Sequence, residues 1–312
     1  MTEIDLTVII STRDRARWLE KTLEQLSLQE VGPIRWEVFV VNNGSRDDTG
    51  DVLKRMSAKL PLFHFFEPEP GKSRACNRAI ETAHGELLLF TDDDIVPSRR
   101  WVAEAVASGR RWTSDSVFCG PIVPLYPDGF PQAFRDHPIE SFAYAKFMPL
   151  ILEEAPLPKG VYPFGGNFAV RRSTLGNGTR FSTAIGPCGE QYPMGEDLEI
   201  LRQLVGQGHR IIFNPAAAVA HVIESPQLRA SWLLARAVRF GRGLTHLSSQ
   251  HSGSPPLTPG VGSGAIKGVQ SVGYIALQLA LRSMIEIAAL LAMGTGVVSE
   301  QIRIWLRRKP NP

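Results

Sequence analysis

The sequence predicts an α/β domain built on a mostly parallel sheet with helices on both faces, followed by a helical C-terminal extension. Short apolar runs rich in β-branched residues alternate with segments of helical periodicity over residues 6–225. Helical crossovers between strands favour parallel pairing and place helices on both faces of the sheet. Hydrophobic residues make up 43% of the 312 residues and charged residues 21%, as in folded globular proteins, which excludes wholesale disorder.

The predicted elements follow one another in a regular order. The first strand is the run LTVII, and the helix after it is marked by the spacing of Trp18, Leu19 and Leu23. WEVFVV and ELLLF are two further apolar strands, each ended by a polar cluster. The strands are predicted at residues 6–10, 36–41, 62–66, 86–90, 167–170, 210–213 and 217–222, and the helices at 13–28, 47–60, 73–84, 195–206 and 227–247. Prolines and aromatics between 120 and 163 predict irregular structure folded over the sheet.

Polar clusters lie where three of these strands end. Residues 11–13 (STR) follow the first strand, 42–45 (NNGS) the second, and 92–94 (DDD) the fourth. In sheets of this kind ligands bind beyond the carboxyl ends of the strands. Three such clusters on one rim therefore predict a binding site there.

The strongest single feature is the run of three aspartates, Asp92, Asp93 and Asp94. Adjacent carboxylates repel one another, and such a cluster is most easily accommodated where a cation is bound. Asp92 and Asp94 are two residues apart, so an extended chain turns both to the same side. Mg²⁺ or Mn²⁺ held in this way usually completes its shell with water and phosphate oxygens. An acidic turn or helix N-terminus is the alternative interpretation, since Ile-Val-Pro follows.

Seven segments of the chain form an ordered set with this cluster. They are VIISTRDR, VVNNGSRDDT, GKSRACNRAI, ELLLFTDDDIVP, GGNFAVRR, GEDLEI and AVAHV. In order and spacing the set resembles glycosyltransferase family 2, and the resemblance covers residues 6–225, some 70% of the chain. It implies the GT-A fold with its Rossmann-like sheet, and an enzyme that moves a sugar from a nucleotide-diphosphate sugar to a hydroxyl acceptor.

The resemblance assigns roles to individual residues. Asp92 and Asp94 match the family's DxD motif, so Asp94 would hold the divalent cation and Asp92 would approach the donor's ribose or the metal shell. His221 ends a strand where some members supply a third metal ligand. Asn42 stands where many members have an aspartate that touches the base, and this departure leaves the identity of the base open. The residues expected to contact the donor are Ser11, Thr12, Arg13, Asn42, Asn43, Ser45, Lys72, Arg74, Asn77, Asp92, Asp93, Gly166 and Asn167.

The same resemblance makes Asp197 the general base and Glu196 a residue that orients the acceptor. A hydroxyl is a poor nucleophile, so inversion at the anomeric carbon needs a carboxylate to accept its proton. The two acids could instead stabilise a helix N-terminus. Gly165 and Gly166 would let the backbone approach the sugar closely, or would form a tight turn.

The chain is expected to divide into a catalytic domain at 1–225 and a helical extension at 226–312, with a flexible Ser-, Gly- and Pro-rich loop at 248–264. From residue 225 onward there are ten basic and two acidic residues, whereas the preceding part has 24 and 29. This asymmetry predicts that the extension contacts something anionic. Its arginines that could face the departing diphosphate are Arg229, Arg236 and Arg239.

An apolar stretch at 269–298 is long enough to cross a bilayer, but Arg282 and Glu286 lie in its middle. Because central charges are costly there, helices that lie on a membrane or pack on the domain are favoured over a span. The acidic start MTEIDLTVII predicts a strand rather than a signal peptide, and three cysteines without metal-type spacing suit a reducing compartment. We therefore expect a cytoplasmic protein, peripheral at the inner face of the plasma membrane.

The predicted function is metal-dependent inverting glycosyl transfer in polysaccharide or glycolipid assembly, with Mg²⁺ or Mn²⁺ as cofactor. The expected partners are a nucleotide-diphosphate sugar donor, a saccharide or lipid-linked acceptor and an anionic membrane surface, with no nucleic acid. Two alternatives stay open. One is a non-catalytic nucleotide-sugar-binding protein, and the other is a sugar nucleotidylyltransferase, disfavoured because residues 11–18 hold no glycine. A Rossmann dehydrogenase is excluded because no GxGxxG follows the first strand.

Overall fold

The computed structural model describes residues 4–128, 130, 139–189 and 192–249. Within them the strands are β1 (Leu6–Thr12), β2 (Trp36–Asn42), β3 (Leu62–Phe66), β4 (Leu87–Thr91), β5 (Ile95–Pro97), β6 (Val117–Cys119), β7 (Ile122–Leu125), β8 (Ala155–Pro156), β9 (Phe168–Arg171), β10 (Ile211–Phe213) and β11 (Val219–Val222). The helices are α1 (Ala16–Leu26), α2 (Thr49–Met56), α3 (Lys72–Thr82), α4 (Trp101–Arg111), α5 (Ile139–Tyr144), α6 (Arg172–Leu175), α7 (Glu196–Gly206) and α8 (Ala230–Ser249). All but the first two residues of the expected flexible loop, and the whole apolar stretch at 269–298, lie outside the described residues.

The large sheet has the strand order β3-β2-β1-β4-β9-β6-β10-β8. Strands β3, β2, β1 and β4 are parallel, and so are β6 and β10, whereas β9 and β8 run antiparallel to their neighbours. The predicted α/β class with a mostly parallel sheet is confirmed, since six of the eight strands of this sheet run in one direction and only β8 and β9 run against them. Strand β9 is reversed because it follows the irregular segment before residue 167 instead of a helical crossover, so it enters the sheet from the opposite end.

The core lies between the parallel strands and the helices that cover them. Leu6, Val8 and Ile10 of β1 are fully buried, as are their neighbours on the opposite face of the strand. Strands buried on both faces read as continuous apolar runs, which is why the sequence reveals them. Helix α1 buries Leu19, Leu23 and Leu26 on one stripe at helical spacing.

A second sheet of three strands, in the order β5-β11-β7, was not expected from the sequence. Its antiparallel pair places His221 of β11 opposite Ile95 of β5, directly after the three aspartates. The backbone N–H of Val222 donates to the carbonyl of Asp94 at 2.9 Å. This small sheet therefore fixes the distance between the aspartate cluster and His221.

Helix α8 packs on the domain rather than standing apart from it. The N–H of Met194 donates to the carbonyl of Arg239 at 3.0 Å, and a Cβ on Gly243 would lie 1.7 Å from the Met194 carbonyl oxygen. The boundary expected at residue 225 stays a prediction. None of the helices in the described part of the chain combines the length and the apolar character needed to cross a membrane.

Candidate active site

A cleft of about 1220 Å³ opens at the carboxyl ends of β1 and β4. Its floor is the aspartate cluster, and its other walls come from residues 145–166, the N-terminus of α7 and the first half of α8. Twelve of the residues expected at the site line this cleft: Ser11, Thr12, Arg13, Asn43, Lys72, Asp92, Asp93, Asp94, Gly166, Glu196, Asp197 and His221. The fold thus gathers residues up to 210 positions apart into one cleft, in which carboxylates and basic side chains face each other.

The middle aspartate, Asp93, is bound entirely by protein groups. Its Oδ2 accepts a hydrogen bond of 2.6 Å from Thr12, and its Oδ1 accepts one of 2.7 Å from the Arg15 guanidinium. Arg15 also donates to Asp94 Oδ2 at 2.6 Å. Burial raises the pKa of Asp93 to about 7, although Arg15 opposes the shift. Both oxygens of Asp93 are therefore used to anchor the floor of the cleft rather than to face a donor.

Asp94 and His221 form the part of the site that suits a cation. The imidazole Nδ1 of His221 lies 2.9 Å from the carbonyl of Tyr144, which can only accept, so Nδ1 carries the hydrogen. Nε2 then presents its lone pair, or a second proton, to Asp94 Oδ1 at 3.5 Å. That buried oxygen has no hydrogen-bond partner among the described residues. Burial alone would lower the pKa of His221, but the facing Asp94 carboxylate raises it.

The expected trio of metal ligands is not preformed. No group of three or more His, Cys, Asp or Glu side chains in the described part of the chain is arranged to hold a metal ion. The physical reason is that Asp92 is turned to Lys72, whose Nζ donates to its Oδ1 at 2.9 Å. Asp94 and His221 nevertheless fit a divalent cation that takes its remaining ligands from phosphate and water, because an orphaned carboxylate oxygen faces an imidazole nitrogen.

Lys72, at the start of α3, joins the two halves of the cleft. Besides Asp92, its ammonium lies 3.4 Å from Glu196 and 3.7 Å from Asp197. Burial alone would lower the pKa of Lys72, but the three carboxylates raise it well above its ordinary value. Lys72 therefore stays charged and holds the aspartate floor and the two acids of α7 at fixed separation.

Asp197 sits in the first turn of α7, with Gly195 in the left-handed region at the helix start (φ 120°). A Cβ on Gly165 would lie 1.7 Å from Asp197 Oδ2, so only glycine allows the carboxylate to pack here. Burial and the neighbouring Glu196 charge raise the pKa of Asp197 to about 8, against the lowering effect of Lys72. A carboxylate with a raised pKa in a cleft is suited to accept a proton near neutral pH.

Five of the expected donor-binding residues do not line the cleft. Asn42 and Ser45 hydrogen-bond within their own turn and to Asp14, Arg74 pairs with Glu69, and Asn77 binds the backbone of Phe181 in both directions. Asn167 is buried, its Nδ2 donating to the carbonyls of Pro121 and Ala217 and its Oδ1 accepting from the Trp101 indole. These side chains are used in holding the walls together.

Several residues that line the cleft were missed by sequence reasoning. Arg15 is the foremost, and its only signal was its place in the STRDR segment after β1. The irregular segment supplies an apolar wall, and α8 supplies two of the three candidate arginines, Arg236 and Arg239, whereas Arg229 lies outside. The apolar lining residues are Phe142, Phe147, Met148, Leu150, Ile151, Val161, Tyr162 and Phe164.

The sheet and the cleft at the carboxyl ends of its strands define a ligand-binding α/β protein, in agreement with the GT-A fold expected from the sequence. The family model described as Glycosyl transferase family 2 matches residues 7–176. The chain therefore belongs to glycosyltransferase family 2 and is a glycosyltransferase.

Individual relatives agree with this assignment. Glycosyltransferase AglE of Haloferax volcanii is 24% identical over 242 residues, which cover 76% of this chain and 72% of the relative. A mannosyltransferase of Pyrobaculum calidifontis, solved with GDP-Man and Mn²⁺, superposes with a TM-score of 0.59 at 22% identity, covering 98% of this chain and 84% of the other. S. aureus TarS 1–349, solved with UDP-GlcNAc, superposes with a TM-score of 0.53 at 18% identity, covering 91% and 81%. The two solved structures share the fold.

Proposed function

We propose that this protein transfers a sugar, with inversion, from a nucleotide-diphosphate sugar to a hydroxyl acceptor. The observation that carries the proposal is the single cleft in which Asp94 and His221 lie at one side and Glu196 and Asp197 at the other, joined by Lys72. A diphosphate needs positive charge and an acceptor hydroxyl needs a base, and the cleft offers both.

The donor is placed at the strand ends. Residues Ser11 to Arg13 close β1 at the rim, where nucleotides bind in sheets of this topology. Asp94 and His221 would hold Mg²⁺ or Mn²⁺, which, when bound, stabilises the charge that develops on the leaving diphosphate. The complexes with GDP-Man and Mn²⁺ and with UDP-GlcNAc support a nucleotide-sugar donor, and leave the base and sugar of this chain's donor open.

The chain's own residues then perform the proton chemistry. Asp197 accepts the proton of the acceptor hydroxyl as that oxygen attacks the anomeric carbon from the side opposite the diphosphate. Glu196, buried beside Lys72, orients the acceptor. Lys72 remains charged throughout, and its ion pair with Asp197 holds that carboxylate in position for the proton transfer. A role in polysaccharide or glycolipid assembly, at the inner face of the plasma membrane, belongs to the same proposal and is supported by the basic extension.

The test is a donor screen on the full chain. Thermal unfolding is measured with UDP-, GDP- and dTDP-sugars, each with and without Mn²⁺, and the stabilising donor is then assayed for transfer or slow hydrolysis. We expect one nucleotide to raise the unfolding temperature, and to do so more strongly with Mn²⁺. If no activated sugar binds under either condition, the proposal is wrong.

A further inference from the structure

Strand β3 forms one edge of the large sheet, and no strand in the described part of the chain pairs with its outer side. The other edges of the two sheets are β8, β5 and β7, which are two to four residues long and contain Pro156, Pro97 and Pro124. Short edge strands with proline resist the addition of a further strand, because proline lacks the N–H group that pairs. The five residues of β3, LFHFF, include no proline, lysine, arginine or acidic residue. This edge is therefore open to another strand.

The backbone of β3 determines which residues face this open side. Just before the strand, the Val38 N–H donates to the Pro61 carbonyl at 2.9 Å. Just after it, the Glu67 N–H donates to the Asn42 carbonyl at 2.9 Å. Because successive residues of a strand alternate in the direction of their peptide groups, the odd-numbered residues between these two bonds face β2. The residues whose peptide groups point away from β2 are therefore Leu62, His64 and Phe66.

A second copy of β3, running antiparallel, matches these peptide groups. With a two-fold axis at His64, each His64 N–H donates to the carbonyl of the partner's His64. On either side of the axis, the Phe66 N–H donates to the carbonyl of the partner's Leu62. The Leu62 N–H is not required for this pairing, since it donates to the Leu60 carbonyl of its own chain at 2.7 Å.

The same register covers the exposed aromatic side chains of β3. Phe63 is 49% exposed, although one side of its ring packs on Phe39 with the centroids 5.4 Å apart, and Phe66 is 59% exposed. The two lie on opposite faces of the strand. In the antiparallel pair Phe63 lies beside the partner's Phe65 and Phe66 beside the partner's Leu62. Exposed aromatic groups next to open peptide groups are typical of an interface.

The charges that flank β3 favour a copy of the same segment in this direction. Lys59 is exposed and precedes the strand, whereas Glu67 and Glu69 follow it. Antiparallel pairing brings Lys59 of each copy towards the partner's Glu67 and the partner's Glu69, whereas parallel pairing would bring like charges together. Pro61 and Pro68 bound the segment and limit the pairing to these few residues. The contact is thus self-complementary and closes after two copies.

We propose that the protein forms a two-fold symmetric dimer in which the β3 strands of two copies pair antiparallel around His64. The dimer joins the two large sheets into one continuous sheet, and it does not depend on the identity of the donor or the acceptor. The segment after β3 connects the interface to the cleft, since Nδ2 of Asn43, a cleft residue, donates to the Glu69 carbonyl at 2.6 Å.

The experiment is sedimentation velocity of the full chain over a range of protein concentrations. His64→Lys changes an exposed side chain and sets two like charges opposite each other at the axis. Ser114→Lys adds the same charge at an exposed turn before β6 and serves as the matched control. We expect the wild type and S114K to dimerise equally, and H64K to raise the dissociation constant by at least ~10-fold. K59E should also weaken the dimer, and K59E/E69K should restore it.

A disulfide tests the register directly. Residues that exchange hydrogen bonds across an antiparallel pair have Cα atoms about 5.5 Å apart, within the range that a disulfide spans. In a background with Cys188→Ser, which removes the exposed thiol, H64C should form a covalent dimer on mild oxidation and S114C should not.

The inference is overturned if the wild type is monomeric at every concentration, if H64K, folded by circular dichroism, dimerises as S114K does, or if H64C forms no covalent dimer. A monomer whose His64 amide is protected from hydrogen exchange would overturn it too, because another part of the chain would then cover β3.

Discussion

Gly165 and Asp197 are packed so tightly that no side chain fits between them. A Cβ on Gly165 would lie 1.7 Å from Asp197 Oδ2 and 2.2 Å from its Cγ. Thr91 Oγ1 donates to the carbonyl of Gly166 at 2.7 Å and fixes this loop against the end of β4. The loop therefore determines where the base stands, without touching the proton that it accepts.

Replacement of Gly165 by alanine should consequently displace the base. We expect G165A to lower kcat by at least ~100-fold, because misplacement of a reacting group by about 1 Å has this effect. Donor affinity, measured by calorimetry, should change little. G206A is the matched control, since a Cβ at Gly206 of α7 meets nothing within 4 Å. Equal losses in the two variants would show that Gly165 has no special relation to the base.

Removal of the base itself should act on chemistry and not on donor binding. We expect D197N to reduce kcat by ~10²–10⁴-fold, the range that general-base catalysis contributes. The variant should still be stabilised by donor and Mn²⁺ in thermal unfolding. Glu196→Gln should weaken acceptor use more than donor hydrolysis. Wild-type transfer rates for D197N would remove Asp197 from the role of base.

The rate should depend on pH through Asp197. Burial first, and then Glu196, raise the pKa of this carboxyl to about 8, and only the deprotonated form accepts a proton. We therefore expect kcat/KM to rise about tenfold per pH unit below pH 8 and to level off above it. Lys72→Met removes the cation that lowers this pKa, so the rising limb should move to higher pH. If the pH–rate profile of the variant rises at the same pH as that of the wild type, Lys72 does not influence the pKa of Asp197.

Metal binding should require the pair Asp94 and His221. We expect Mn²⁺, titrated by calorimetry in the presence of the donor, to lose affinity by at least ~10-fold in D94A and in H221A. Treatment with a chelator should abolish transfer, and added Mn²⁺ should restore it. Asp51→Ala, which removes an exposed carboxylate on α2, serves as the control. Unchanged manganese affinity in both cleft variants would place the cation elsewhere.

Arg15 should support the fold in a pH-dependent way. Its loss leaves Asp93 and Asp94 without their shared guanidinium, which should cost about 1–3 kcal/mol in the free energy of unfolding, discounted for the partial exposure of Arg15. Burial raises the pKa of Asp93 in the folded protein to about 7, above its value in the unfolded chain. Between these two pKa values the unfolded chain loses its proton first, so the free energy of unfolding falls as the pH rises through this range. Without Arg15 the folded pKa rises further. The destabilisation of R15A in urea melts should therefore be larger at pH 8 than at pH 5, and a constant difference would contradict this.

The strands and helices that have a clear hydrophobic periodicity could be predicted from the sequence. The strand predicted at 62–66 coincides with β3, and most other predicted elements agree with the structure to within a few residues. The three aspartates were identified because adjacent carboxylates after a buried strand indicate a cation site, whereas Glu196 and Asp197 were assigned through the family resemblance. The predicted helix at 13–28 begins only at Ala16, since Asp14 takes a left-handed backbone conformation (φ 51°) and turns the chain. That turn lets Arg15 reach back to the aspartates, a contact that no local pattern encodes.

The remainder depends on long-range pairing. The strands β5 and β7 are three and four residues long, too short for alternation to show, and each pairs with β11 over more than 90 positions. Lys72 was expected to line the donor pocket, but its contacts with Glu196 and Asp197 depend on how α3 and α7 meet. The apolar wall between 145 and 164 lacks regular structure almost throughout, so its course could not be derived.

Asn167 illustrates how this architecture can mislead a survey of tolerated substitutions. Its carboxamide joins three chain segments through Trp101, Pro121 and Ala217, and no other residue of its size offers two donors and an acceptor in that arrangement. A saturation scan scored by cell growth would thus rank position 167 beside the true participants in the reaction. Only a parallel measurement of protein abundance would distinguish a residue needed for folding, such as Asn167, from a residue that acts in the reaction.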